Sequence, residues 1–238
     1  MDLPSWYGPS PAEWLFNRIV QQCNIRVPRT EAAVTNMIGR NGPRKTMIRL
    51  YAFLGNHGRE HAGNRHNVAW HFLASLLLAG QLRWEHKFKG RFAQWEGPAG
   101  RLYFLQPETY MNLSGDSAAE LARFFQIQPA ELLVIHDELE LPFGVFGFKM
   151  GGGLGGHNGL RSLESRFGTR DFARLRFGIG RPDHDDVAGY VLSDFAREER
   201  EKLESIVFPK AEAALDLCIS EGFETVLARY PKVKAIEG

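Results

Sequence analysis

The distribution of apolar and polar positions predicts strands that alternate with helices along the 238-residue chain. The clearest strand candidate is residues 48–54, and it is followed by a leucine-rich helix over residues 67–79 that ends at Gly80. Further strands are predicted at 92–95, 102–105, 132–135, 145–149 and 172–179, and further helices at 116–125, 158–166 and, with a break or kink at Pro209, 196–230. This alternation predicts an α/β fold, a single-domain three-layer α/β/α sandwich with a twisted mixed sheet.

The first 46 residues differ in pattern from the rest of the chain. Apolar residues recur at helical spacing over residues 11–22, and Ser10 is suited to cap such a helix before Pro11. Residues 41–45, which include Asn-Gly-Pro, are typical of a linker. We therefore expect residues 1–46 to form an N-terminal extension with one amphipathic helix, and residues 47–238 to form the main domain.

The net charge of the chain does not by itself favour a nucleic-acid partner. The chain has 29 Lys and Arg against 28 Asp and Glu, a net charge of +1. The extension carries six of the basic residues and three of the acidic ones, so the main domain is slightly acidic. A nucleic-acid partner would therefore have to be contacted by basic residues concentrated at one place.

Cysteine content and hydropathy point to a cytoplasmic protein. Cys23 and Cys218 are too few for a disulfide framework or a cysteine-based zinc site, which fits a reducing compartment. The longest nearly apolar run, residues 68–80, is shorter than the roughly 20 residues that a spanning helix needs. The N-terminus lacks a basic segment followed by an apolar one, so we expect neither a membrane span nor a secretory signal.

Polar residues cluster where predicted strands end or the following helices begin. They are Asn56, Asn64 to Asn67, Tyr110 to Asn112, His136 to Glu138 and Gly155 to Asn158. Such positions converge at one edge of an α/β sheet. A histidine beside a carboxylate suits the activation of water, and asparagines can orient an ester and stabilise an oxyanion. The alternative is that each histidine is a helix cap or a core residue, which is the commoner role for a single histidine.

Other chemistry is not supported by the motifs. The glycine run 151–156 is followed by His157-Asn158 rather than by the Gly-Lys-Ser/Thr of a nucleotide-binding loop. His57, His61 and His66 lack the spacing of a zinc helix, so we expect no metal. The chain also lacks a Gly-x-Ser-x-Gly nucleophile motif.

Five stretches in order resemble the bacterial-type peptidyl-tRNA hydrolase family. They are Leu54-Gly55-Asn56 with Arg65-His66-Asn67, residues 110–115 (YMNLSG), 136–142 (HDELELP), 149–160 (KMGGGLGGHNGL) and 176–182 (RFGIGRP). The similarity extends from Met47, where members of the family commonly begin, to about Tyr230. It implies an enzyme that hydrolyses the ester between a peptide and the 3′-terminal ribose of tRNA, with no metal or organic cofactor.

The resemblance also implies roles for individual residues. His66 corresponds to the histidine that activates water, and Asp137 to the carboxylate that orients it. Asn56, Asn112 and Asn158 correspond to the asparagines that position the peptide backbone and terminal ribose. These expectations agree with the chemistry that the residue types suggest.

Further residues are implied to contact the substrate, peptidyl-tRNA. Met111 and His157 match residues that line the cleft, and Lys149 and Arg176 match basic residues that bind a tRNA phosphate. Other basic candidates are Arg181 and a patch of Lys87, Lys89 and Arg91 with Trp84 and Phe88 interleaved. We expect a monomer.

Several positions depart from the family pattern. His57 replaces a proline, His61 a tyrosine, Asn64 a threonine and Gly147 one of two lysines that flank the glycine loop. A rival interpretation is an RNA-binding protein on the same fold that has lost catalysis. The complete set of His66, Asp137 and three asparagines favours the enzyme.

Overall fold

The structure is a computed structural model that describes residues 46–97, 100–183 and 185–236. The helix predicted over residues 11–22, the linker at 41–45 and Cys23 lie outside the described residues.

An eight-stranded mixed sheet forms the centre of the domain. Its strands are β1 Leu50–Phe53, β2 Trp84–Lys87, β3 Gly90–Gly97, β4 Gly100–Pro107, β5 Leu132–Glu138, β6 Val145–Met150, β7 Ala173–Gly178 and β8 Val233–Lys234, in the order β2-β3-β4-β1-β5-β7-β6-β8. The central pairs β4·β1, β1·β5 and β5·β7 are parallel, and the outer pairs are antiparallel. β1 is buried along its whole length, which explains its uninterrupted apolar sequence.

Helices cover both faces of the sheet, and the predicted three-layer architecture is confirmed. They are α1 Val68–Ser75, α2 Ser114–Phe124, α3 Asn158–Phe167, α4 Val187–Val191, α5 Arg197–Lys202, α6 Phe208–Glu221 and α7 Phe223–Arg229. Leu50 and Ala52 of β1 pack in the core beneath α2 and α3, whereas Tyr51 and Phe53 share the opposite core with α1 and α6. The period of two along β1 thus builds two separate cores.

The helix predicted over residues 67–79 is wrong in length. α1 ends at Ser75, Leu76 is extended (φ −64°, ψ 131°), and a 3₁₀ segment Leu77–Gln81 follows. Leu76 and Leu78 are both buried while Leu77 is 59% exposed. A continuous helix would place residues 76 and 78 on nearly opposite faces, so burying both leucines requires the break.

The break or kink predicted at Pro209 is wrong in position, because the helical path changes before this residue and the helix is broken after it, at Gly222. A π-helical turn, Leu203–Val207, joins α5 to α6, and Pro209 occupies the first turn of α6. Proline has no N–H to donate to a preceding carbonyl, and the wider turn accommodates this loss.

The strand predicted at 132–135 is longer than expected. His136, Asp137 and Glu138 continue β5 and pair with residues 176–178 of β7. The polar residues ended the apolar pattern, but their backbones still complete the ladder. The short strands β2 and β8 and the helix α4 carry no clear periodicity and were not predicted.

Candidate active site

A cleft of about 780 Å³ lies at the carboxyl ends of β1, β4 and β5. At this edge the chain leaves β1 between two parallel neighbours, which is where α/β sheets form crevices. Seven of the nine predicted site residues line the cleft, namely Asn56, His66, Met111, Asn112, Asp137, His157 and Asn158. Lys149 and Arg176 are not among the lining residues.

His66 and Asp137 form a buried hydrogen-bonded pair at the base of the cleft. His66 belongs to a 3₁₀ turn, Arg65–Asn67, directly before α1, and Asp137 lies near the end of β5. His66 Nδ1 donates to Asp137 Oδ1 over 2.7 Å, and the side chains are 9% and 3% exposed. With the hydrogen on Nδ1, the His66 Nε2 lone pair remains available to accept a proton.

Burial and charge act in opposite directions on this pair. Burial lowers the pKa of His66, but the charge and hydrogen bond of Asp137 outweigh it, so that this pKa is raised from its ordinary value. Burial alone would raise the pKa of Asp137, but His66 and His157 hold it well below its usual range. Asp137 therefore stays ionised and stabilises the imidazolium that His66 becomes when it takes a proton.

His157 connects the same carboxylate to helix α3. Its Nδ1 accepts from the backbone N–H groups of Gly159 and Leu160 at 3.1 and 3.4 Å, which caps the helix. Because Nδ1 is an acceptor, the hydrogen of neutral His157 lies on Nε2, which donates to Asp137 Oδ1 over 3.0 Å. Asp137 Oδ1 is thus fixed from two sides.

His136 is a further residue of this centre, and no role was predicted for it. Its Nδ1 donates to the backbone oxygen of Asp137 over 2.5 Å, and its ring packs edge-on against His157 with centroids 5.0 Å apart. Burial holds the pKa of His136 well below its usual range. A neutral His136 therefore supports Asp137 and His157 without adding charge.

Asn56 is held in place by Asn67, a residue for which no individual role was predicted. Asn67 Oδ1 accepts from the Asn56 backbone N–H at 2.7 Å, and Asn67 Nδ2 donates to the Asn56 backbone oxygen at 3.0 Å. Asn56 Oδ1 in turn accepts from the backbone N–H of Met111 at 2.8 Å. The Asn56 amide group is left to donate to a ligand in the cleft.

Gly55 lets the β1 turn approach helix α1. A Cβ at this position would lie 2.5 Å from the ring of Trp70, whose Nε1 donates to the Phe53 oxygen over 2.9 Å. A side chain at position 55 would therefore push the turn and Asn56 away from the helix.

Asn112 and Asn158 are exposed on the walls of the cleft. Asn112 lies in the 3₁₀ turn Met111–Leu113 after β4, and Asn158 is the first residue of α3. Arg161 Nη1 donates to Asn158 Oδ1 over 3.3 Å. With its oxygen engaged, Asn158 presents its amide hydrogens to a ligand.

Arg65 ties the His66 turn to the rest of the domain. Its guanidinium forms a bidentate pair with Glu199 at 2.9 and 2.7 Å and stacks over Tyr190 with 4.7 Å to the ring centroid. The Arg65 backbone N–H also donates to the Ser193 oxygen over 2.9 Å. These contacts join His66 to the α4 segment that forms the opposite, apolar wall of the cleft.

Lys149 and Arg176 lie on one face of the sheet beside the glycine loop. Register pairs Lys149 with Arg174 and Gly147 with Arg176. Buried Arg174 donates to the backbone oxygens of Gly153 and Gly152 at 2.7 and 3.1 Å and so fixes the loop. A Cβ at Gly147 would lie 2.4 Å from the Pro231 oxygen, which explains why the family's lysine has no space here.

The other departures from the family pattern lie between β1 and the turn that holds His66. His61 lines the cleft, and its Nδ1 is 3.2 Å from Nδ2 of buried Asn64. His57 is exposed, and its backbone N–H donates to the Thr109 oxygen. The structure thus places His61, but not His57, among the residues that line the cleft.

His66, Asp137 and His157 are also the described residues best placed to hold a metal ion, since their ligand atoms lie within 4.8 Å of one another. The same atoms form the 2.7 and 3.0 Å hydrogen bonds, and an ion would have to replace both. This donor set is therefore already engaged in hydrogen bonds within the protein.

Within the described ranges, no helix has the length and apolar character needed to cross a membrane.

Comparison with known proteins agrees with the geometry of the cleft. The family model for peptidyl-tRNA hydrolase matches residues 50–237. A peptidyl-tRNA hydrolase from Geobacter sp. (strain M21) is 41% identical over 183 residues, which cover 76% of this chain and 97% of that protein. The peptidyl-tRNA hydrolase of Treponema pallidum (strain Nichols) is 50% identical over 153 residues, or 62% of this chain and 76% of that protein.

Solved structures of peptidyl-tRNA hydrolases are similar to this chain as well. The crystal structure of peptidyl-tRNA hydrolase from Acinetobacter baumannii matches with a TM-score of 0.71 and 32% identity, and covers 80% of this chain and 99% of that one. The fold, the cleft residues and the sequence similarity all agree, and the chain belongs to the peptidyl-tRNA hydrolase family.

Proposed function

We propose that this protein hydrolyses the ester bond of peptidyl-tRNA, releasing peptide and tRNA, with His66 as the general base. The observation that carries this proposal is the buried 2.7 Å hydrogen bond from His66 Nδ1 to Asp137 Oδ1. It fixes the ring tautomer in which Nε2 can accept a proton from water. Family membership gives the substrate class.

The reaction is an acyl transfer to water. His66 Nε2 takes a proton as the water oxygen bonds to the ester carbonyl carbon, and the carbonyl oxygen becomes an oxyanion. Amide hydrogens of Asn56 and Asn158 are suited to stabilise that oxyanion, since the oxygen of each side chain is already bonded within the protein. Collapse breaks the bond to the ribose 3′ oxygen, which takes the proton from His66.

Asn112 and Met111 complete the binding of the substrate in this proposal. Asn112 is exposed to the cleft and can bond the peptide backbone or the ribose, while the Met111 side chain is buried against the core. Lys149 and Arg176, outside the cleft, are suited to bind a more distant tRNA phosphate. The enzyme would act as a cytoplasmic monomer.

Release of labelled peptide from purified peptidyl-tRNA tests the proposal. His66→Ala should lower kcat by about 10²–10⁴-fold, the usual contribution of a general base. The matched control is His86→Ala, because His86 is a 75% exposed histidine of β2 that pairs with Glu108 away from the cleft. The His86→Ala variant should release peptide as fast as the wild type.

Two results would contradict the proposal. Retention of wild-type turnover by folded His66→Ala would remove His66 from the reaction. Tight binding of tRNA by the wild-type protein without release of peptide would support the rival, an inactive RNA-binding protein.

A further inference from the structure

Arg161 is the only arginine or lysine among the described residues that line the cleft. It lies on α3, one turn after Asn158, and its Nη1 donates to Asn158 Oδ1 over 3.3 Å. Its guanidinium therefore lies beside an amide that the proposed function places on the substrate.

Other arginines of the domain differ from Arg161 in their partners. Arg166 pairs with Asp116 at 2.5 Å, Arg170 pairs with Glu164 at 2.6 Å, and Arg181 pairs with Glu140. Within the described part of the chain, Arg161 forms no ion pair with a carboxylate. Its remaining N–H donors and its full charge are thus available to an anionic ligand.

The substrate has an anionic group close to the scissile ester. The ester joins the 3′-terminal ribose, and the nearest charge is the phosphodiester on the 5′ side of that nucleoside. Lys149 and Arg176 do not line the cleft, whereas Arg161 lies in it beside Asn158, so Arg161 is the best placed of the three to contact this phosphate. An arginine fork is matched to phosphate oxygens and contacts them regardless of base identity.

We propose that Arg161 binds the phosphodiester that precedes the terminal nucleoside of the tRNA. This role rests on the proposed function and adds a substrate contact to it. Arg161 holds the terminal nucleotide on the α3 side of the cleft, next to Asn158. The apolar wall formed by α4 then faces the peptide.

The test uses two peptidyl-tRNAs that differ only at this linkage, one normal and one with a neutral methylphosphonate. For the normal substrate, Arg161→Ala should lower kcat/KM about tenfold, the lower end for a hydrogen bond between charged groups. Wild-type enzyme should lose a similar factor on the neutral substrate, whereas the variant should lose nothing further. The salt dependence of log kcat/KM should become shallower by about 0.7 in the variant.

Two further variants control for charge and position. Arg161→Lys should keep the wild-type salt dependence because it keeps the charge. Arg101→Ala should behave as the wild type, because Arg101 is 57% exposed, pairs with Glu96 and lies near the start of β4, at the sheet edge opposite the cleft.

Other outcomes overturn the inference. An equal loss by Arg161→Ala on both substrates would mean that Arg161 acts only by orienting Asn158, and no loss would exclude the contact. If wild-type enzyme released no peptide, the proposed function would fail. Affinities for deacylated tRNAs with the two linkages would then show separately whether Arg161 contacts the phosphate.

Discussion

Replacing Asn67 by alanine should damage both the stability and the activity of the enzyme. Asn67 is 1% exposed, and its side chain forms two hydrogen bonds with the backbone of Asn56, which is 6% exposed. Alanine would leave the Asn56 N–H without an acceptor and its oxygen without a donor, in a place that water reaches poorly. Asn56 carries the amide that we place on the substrate.

The expected loss of stability follows from these two hydrogen bonds. Each buried polar group left without a partner costs about 1–3 kcal/mol, so the two lost partners predict a decrease of about 2–6 kcal/mol in the free energy of unfolding. Activity should also fall, because displacement of a positioning group by about 1 Å can cost about 10²-fold in kcat.

Urea denaturation and single-turnover peptide release measure the two effects. The matched control is Asn112→Ala, the same chemical change at an exposed position of the cleft. That variant should lose activity while its free energy of unfolding stays within about 0.5 kcal/mol of wild type. If Asn67→Ala showed the same pattern as Asn112→Ala, with no loss of stability, Asn67 would not hold Asn56.

Two further predictions concern charge and the extension. Asp137→Asn removes the charge that raises the pKa of His66, so neutral His66 should persist to lower pH. The acidic limb of the pH profile of kcat/KM should move to lower pH while the plateau falls by about 10²–10⁴-fold; an unmoved limb would exclude the coupling. Deletion of residues 1–45 should leave kcat within about twofold of wild type, because Thr46, which bonds to Glu224, leads into the amino end of β1, whereas the cleft lies at its carboxyl end. A larger loss in the same peptide-release assay would show that the extension acts in catalysis, and a lower melting temperature would show that it packs on the domain.

The sequence was informative for most of the residues that line the cleft. Asn56, Asn112 and Asn158 follow strand ends or begin a helix, and the structure brings them to one cleft with His66 and Asp137. Polar residues at strand ends converge because parallel strands share one edge. Residue type and position were sufficient for this inference, and the family resemblance gave the substrate.

Residues that act through others were not predictable in the same way. Asn67 supports Asn56, His136 supports Asp137, and Arg174 fixes the glycine loop, each from a buried position. In the sequence, Asn67 and His136 belong to the polar clusters and Arg174 to a strand, but nothing there distinguishes a supporting role from a direct one. Their roles depend on which backbone groups the folded chain brings within hydrogen-bonding distance.

By itself, the sequence determined the α/β architecture, the family and most of the residues of the cleft. The periodicity of apolar residues and the order of the motifs along the chain can both be read from the residue types alone. Only the tertiary structure decided that Lys149 and Arg176 lie outside the cleft and that Arg161 lies within it. The register of β6 and β7 decides on which face of the sheet Lys149 and Arg176 lie. The packing of α3 decides which of its residues line the cleft.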